Sequence, residues 1–138
     1  MESGSGMARI LVTEDDDAVR SFVARALTLD GHRIVTAEDG ADALETLERE
    51  AGAFDLLLSD IRMPAMDGIE LATKAAPQFP GLPILLMTGY ADQRERAEGL
   101  DRIVHDVVQK PFSLAEIRTA VRATLAACLG SAELACAQ

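Results

Sequence analysis

The stretch Phe54-Asp-Leu-Leu-Leu-Ser-Asp60-Ile-Arg-Met-Pro64 sets the architecture. Three consecutive leucines with no polar residue between them are the pattern of a strand buried on both faces. Such strands occur where helices cover each side of a parallel sheet. The run ends on an acid. A loop with Pro64 and Gly68 follows, then a helical stretch from about Ile69 to Ala76. A carboxylate at the end of a buried parallel strand stands where open α/β sheets bind ligands, so this run predicts a site as well as a fold.

Outward from it, β-prone runs alternate with amphipathic ones. Ile10-Leu11-Val12 precedes Val19, Phe22, Val23, Ala26 and Leu27, the i, i+3, i+4 spacing of one helix face. Gly31 is placed to stop that helix. Ile34-Val35 reads as a second strand. Ala43, Leu44 and Leu47 mark a second helix, closed by Gly52. Downstream, Pro77, Pro80, Gly81 and Pro83 break the chain before Ile84-Leu85-Leu86-Met87, and Ile103, Val104, Val107 and Val108 supply a fifth strand. The polar segment Ala91 to Leu100 predicts a weakly anchored helix. Ser113-Leu-Ala-Glu116 has capping-box spacing and opens a last helix whose apolar face is Leu114, Ile117, Val121 and Leu125. Five such units predict a single-domain α/β fold with a parallel five-stranded sheet and helices on both faces.

Composition narrows the function. The 138 residues carry 13 Lys plus Arg against 23 Asp plus Glu, a net charge of −10, which disfavours nonspecific binding to nucleic acid or anionic membrane. No apolar run reaches the roughly 18 residues of a membrane span, and no signal region opens the chain, so a cytoplasmic location is expected. Cys128 and Cys136 are the only cysteines, both within the last eleven residues, and read as reduced thiols. Met1 to Gly6 reads as an added linker before a natural start at Met7, residues 7–128 as the domain and 129–138 as a short, frayed tail.

The residues that follow each strand carry the chemistry. Glu14, Asp15, Asp16 and Asp17 follow the first; Asp60 and Arg62 the third; Thr88, Gly89 and Tyr90 the fourth; Lys110, Pro111 and Phe112 the fifth. If the first and third strands are neighbours, Glu14, Asp15 and Asp60 converge, and their repulsion is relieved by a hard divalent cation such as Mg²⁺. Lys110 adds a positive charge and Thr88 a hydroxyl. The set suits a small, highly charged anion such as phosphoryl, with Asp60 as its nucleophilic acceptor. Each residue alone has a plainer role. Asp16 or Asp17 is a natural helix N-cap, Thr88 could cap the next helix, and Lys110 could be a surface lysine. Their coincidence at four strand ends favours a site.

At these residues the sequence resembles the receiver domains of two-component response regulators, through ILVTEDDD, DLLLSDIRMPAMDG, LLMTGYAD and VVQKPF, over Arg9 to Ala127. The resemblance implies a doubly wound, flavodoxin-like (βα)5 domain with strand order 2-1-3-4-5. It makes Asp60 the phosphoacceptor, loaded by a histidine kinase or a histidine phosphotransfer protein. Glu14, Asp15, Asp60 and the backbone carbonyl of Arg62 would hold Mg²⁺, with Glu14 acting largely through water. Thr88 and Lys110 would contact the phosphoryl group, and Lys110-Pro111 is often a cis peptide. The first acid is Glu14 where Asp is commoner. Val107 occupies the position where an inward-swinging aromatic is usual, so Tyr90 is the candidate to couple instead. Arg62 and Tyr90, bulky at the positions that tune autodephosphorylation, imply a fairly long-lived phosphoryl state.

ALTLDGH, IRMPAMDGIELA, PILLMTGYADQRERAEGLD and IVHDVVQKPFSLAEIR are most similar to CpdR-type stand-alone receivers of α-proteobacteria. This implies a monomeric or weakly dimeric switch that is not an enzyme, acting as a phosphorylation-controlled adaptor for the ClpXP protease in cell-cycle control. A phosphotransfer intermediate and a Mg²⁺-dependent phosphohydrolase are the alternatives. The latter lacks a second carboxylate two residues after Asp60, where Arg62 stands.

Overall fold

The computed structural model describes residues 8–89 and 103–137, with side chains through Cys128. The element order is β1 (Arg9–Thr13), α1 (Asp17–Leu29), β2 (Arg33–Ala37), α2 (Gly40–Arg49), β3 (Leu56–Asp60), α3 (Gly68–Gln78), β4 (Ile84–Thr88), β5 (Asp106–Gln109) and α4 (Leu114–Ala137). All strand pairs are parallel, in the order β2-β1-β3-β4-β5, the arrangement the resemblance implies.

The uninterrupted apolar strands divide between two cores by period-two alternation. Leu11, Leu57, Ile84 and Leu86 face α2 and α3, where Leu47 and Leu71 pack on them. Ile10, Val12, Leu58, Leu85 and Met87 face the opposite way, against Val23 and Leu27 of α1 and Ile117 and Val121 of α4. Each fully buried Leu or Ile contributes about 2 kcal/mol of transfer free energy, so the central strands β1, β3 and β4 anchor the fold.

Side-chain acceptors fix where the helices begin. Asp16 accepts the N–H groups of Ala18 and Val19, Asp39 that of Asp42, and Asp67 that of Glu70, each satisfying amides with no partner inside the helix. Asp16 thus has the capping role that its position suggests. Ser113 and Glu116 exchange the two hydrogen bonds of a capping box.

Some boundaries differ from the pattern reading. Helix α3 runs past Pro77 to Gln78, because a proline in the last turn removes one donor without blocking the turns before it. Helix α2 is stopped first by Ala51, at φ 56°, with Gly52 at φ 70° behind it. The Gly52 N–H then returns to the Leu47 carbonyl at 2.8 Å. Strand β5 begins at Asp106, although Val104 remains buried in the α2/α3 core. Helix α4 continues to Ala137 through the residues expected as a frayed tail, where Ala132, Leu134, Ala135 and Ala137 favour helix beyond Gly130. Phe22, assigned to the core by its spacing, is 40% exposed. It lies at the edge of the apolar stripe of α1, whose buried members are Val23, Ala26 and Leu27. Tyr90 and the segment 91–100 lie outside the described residues. Among the described residues, no helix is long and apolar enough to cross a membrane.

Candidate functional site

The register of the three central strands brings the acids together. Thr13 of β1 pairs with Ser59 of β3, so the residues just beyond, Glu14 and Asp60, meet at the carboxyl edge of the sheet. Glu14, Asp15 and Asp60 each offer an oxygen within 4.8 Å of the others. Glu14 and Asp60 are buried, at 1% and 5% exposure, while Asp15 is open to solvent. Lys110 enters from the end of β5, its Nζ 2.8 Å from Glu14 Oε1 and 3.1 Å from Asp60 Oδ1. The Lys110 N–H also donates to the Thr88 carbonyl at 2.6 Å, tying the ends of β4 and β5. The Lys110–Pro111 peptide is cis.

One cation does not offset this crowd of carboxylates. Burial, aided by the negative charge of Asp60, pushes the Glu14 carboxyl up to about 7 despite its hydrogen bond to Lys110. Burial also raises Asp60 above the usual carboxylate range, against the opposing pull of Lys110. For Lys110, burial acts to lower the pKa, but the hydrogen bond to Glu14 and the charge of Asp60 outweigh it and hold the ammonium above its ordinary value. An all-oxygen donor set with surplus negative charge and one exposed member fits a hard divalent cation that keeps several waters. Glu14, Asp15 and Asp60 are the residues that would hold it.

These groups line a cleft of about 730 Å³ whose wall includes Arg62, Gly89, Pro111 and Phe112. Arg62 is exposed on this wall. Thr88 ends β4 fully buried, and its neighbour Gly89 reaches the cleft. Val107 lies in β5 opposite Leu86, packed against the α2/α3 core.

Gly68 closes the loop after Asp60. Its N–H donates to the Ile61 carbonyl at 2.8 Å, and a Cβ there would stand 2.2 Å from the Asp60 carbonyl oxygen. A side chain at the foot of the loop that presents Arg62 would therefore force the backbone to shift.

Two features in and behind the cleft escaped the sequence reading. Phe22 and Phe112 stack at 6.4 Å between centroids, forming an apolar rim with Ala18, Val19 and Pro111. Arg20 binds the Glu14 carbonyl. The lone aromatic of α1, Phe22, could have flagged the first, but a bond to a backbone carbonyl leaves no sequence pattern.

The chain is similar to known proteins in sequence and fold. The response regulator MprA of Mycobacterium leprae is 38% identical over 117 residues, which is 85% of this chain. The chain spans about half the length of the curated relatives it matches. The receiver domain of the hybrid histidine kinase CckA is 36% identical with a TM-score of 0.71, covering 85% of this chain and 98% of that one. NtrX from Brucella abortus is 26% identical with a TM-score of 0.87, over 96% of this chain and 30% of that one. Residues 10–122 match the family model of the response regulator receiver domain, and the chain belongs to that family.

Proposed function

We propose that Asp60 is the phosphoacceptor of this receiver and that Mg²⁺ binds at Glu14, Asp15, Asp60 and the Arg62 carbonyl. The carrying observation is the Asp60 carboxylate at the floor of the cleft, 3.1 Å from Lys110 Nζ, with two more carboxylates beside it. In transfer from a phosphohistidine, an Asp60 oxygen bonds to phosphorus as the P–N bond breaks and its electron pair returns to the imidazole. Lys110 is placed to stabilise the charge on the phosphoryl oxygens, and Thr88 to respond to the new group. Bound Mg²⁺ would supply the positive charge that lets an anion approach an acidic cleft. The Phe22–Phe112 rim beside Asp60 offers an apolar seat for the helix that carries the donor histidine.

The reading is tested by incubation with a phosphorylated histidine phosphotransfer protein and Mg²⁺. Label should move to this chain as an alkali-labile acyl phosphate and be absent from Asp60→Asn. Label retained by that variant would remove Asp60 as acceptor. The position two residues past Asp60 is Arg62 rather than a carboxylate, which favours a switch over a phosphohydrolase.

For output we propose phosphorylation-controlled partner binding, as a ClpXP adaptor in cell-cycle control. The motive is the resemblance of segments such as IRMPAMDGIELA and IVHDVVQKPFSLAEIR to CpdR-type receivers. Capture of ClpX by the unphosphorylated chain and release on phosphorylation would sustain this reading. Exchange of phosphoryl with histidine proteins only would favour a phosphotransfer intermediate.

A further inference from the structure

Every polar atom of Glu14 is held. Its carboxylate meets Lys110 Nζ at 2.8 Å through one oxygen and the Asp16 N–H at 3.2 Å through the other. Its backbone N–H donates to the Ala37 carbonyl at the end of β2, at 3.1 Å. Its backbone carbonyl accepts Arg20 Nη1 at 2.9 Å. That last contact is unlike the others. The carbonyl of Glu14 belongs to the peptide joining Glu14 to Asp15, so the orientation of this plane helps set where both acids point.

Arg20 is built to hold the plane. Its side chain is only 16% exposed, and its guanidinium also pairs with Asp17 in the first turn of α1. The same group stands 3.9 Å from Glu38, beyond the end of β2. The planar fork lets one residue brace the β1–α1 loop, the start of α1 and the β2–α2 loop together. Arg20 does not line the cleft, so its contact with the site runs through the Glu14 carbonyl.

We propose that Arg20 is a positioning residue for the acidic cation site, orienting the Glu14–Asp15 peptide so that both carboxylates converge with Asp60; this rests on the reading of those acids as the Mg²⁺ site. Electrostatics makes the proposal testable. A guanidinium near a cation site repels the cation, so its removal by charge alone would tighten Mg²⁺ binding. Loss of positioning weakens it.

The experiment compares wild type, Arg20→Ala and Arg20→Lys by calorimetric titration with Mg²⁺, thermal melts in EDTA, and acetyl-phosphate labelling across Mg²⁺ concentrations. The expected result for Arg20→Ala is a Mg²⁺ Kd raised about tenfold, in the range for lost outer partners of metal ligands. The Mg²⁺ concentration for half-maximal labelling should rise by the same factor, with the rate at saturating Mg²⁺ nearly unchanged. Arg20→Lys, which keeps charge and stem but loses the fork, should show a smaller shift in the same direction and guards against a poorly folded alanine variant. A lowered melt with unchanged or tighter Mg²⁺ affinity in both variants would overturn the proposal. Wild type without Mg²⁺ affinity would instead overturn the site reading, and the positioning role with it.

Discussion

The amino edge of the sheet is closed by matched charges. Arg9 donates to Glu50 at 2.9 Å and to the Ala53 carbonyl at 2.7 Å while lying over the Phe54 ring. Asp30, at the end of α1, takes hydrogen bonds from Arg118 and Arg122 of α4, and the Arg118 bond holds its carboxyl below the usual range. Buried His32 accepts the Ala8 N–H at Nδ1, and burial lowers its imidazole below the ordinary histidine range. At the carboxyl edge Lys110 is shared between buried Glu14 and Asp60, with Asp15 beside them, and burial pushes Glu14 and Asp60 up instead of down. One edge uses charge to hold elements together. The other keeps an excess of negative charge that a cation and a phosphoryl group can engage.

The comparison can be broken first at Gly68. Gly68→Ala drives a methyl group into the Asp60 carbonyl and should cost about 3 kcal/mol of stability, together with most phosphoryl labelling. A denaturant melt near wild type would show that the loop has slack. The upward shift is tested by Glu14→Gln. The folded pKa of Glu14, about 7, lies above its unfolded value of 4.5, so between these pH values the folded protein binds more protons. Stability on this account falls as pH rises from 4.5 through 7. In EDTA at pH 8, Glu14→Gln should therefore be more stable than wild type by about 2 kcal/mol, the gain vanishing near pH 4. A loss of stability at pH 8 would contradict the upward shift.

The amino edge gives the opposite sign. Asp30 is depressed, so its contribution is present above pH 3.8 and lost as pH falls below it. Asp30→Ala should lower the thermal midpoint at pH 7 by roughly 3–5 °C without changing Mg²⁺ affinity. A shift in Mg²⁺ affinity would couple the two edges. Smallest is Phe22→Ala, with a stability change under about 1 kcal/mol. It should slow transfer from a histidine protein several-fold and leave acetyl-phosphate labelling alone. Equal slowing with both donors would remove the docking role of the rim.

The same contrast explains what the sequence disclosed. Leu56-Leu57-Leu58 and Ile84-Leu85-Leu86 announce buried strands because nothing polar interrupts them. Glu14, Asp60, Thr88 and Lys110 are legible because each ends or immediately follows a strand, where an α/β sheet puts its ligand. What stayed hidden depends on tertiary geometry. Phe22 fits the apolar spacing of α1 yet sits at the margin of the stripe, and one helical step of 100° separates it from buried Val23. Arg20 looks like any surface arginine, since its partner is a carbonyl. Ala51 ends α2 although the glycine beside it carries the usual signal.

The central claim is tested most directly by intact-mass measurement of wild type and Asp60→Asn after incubation with acetyl phosphate, with Mg²⁺ and with EDTA. One phosphoryl group should add to wild type only when Mg²⁺ is present, and none to the variant. Equal addition to Asp60→Asn, or to wild type in EDTA, would contradict the account.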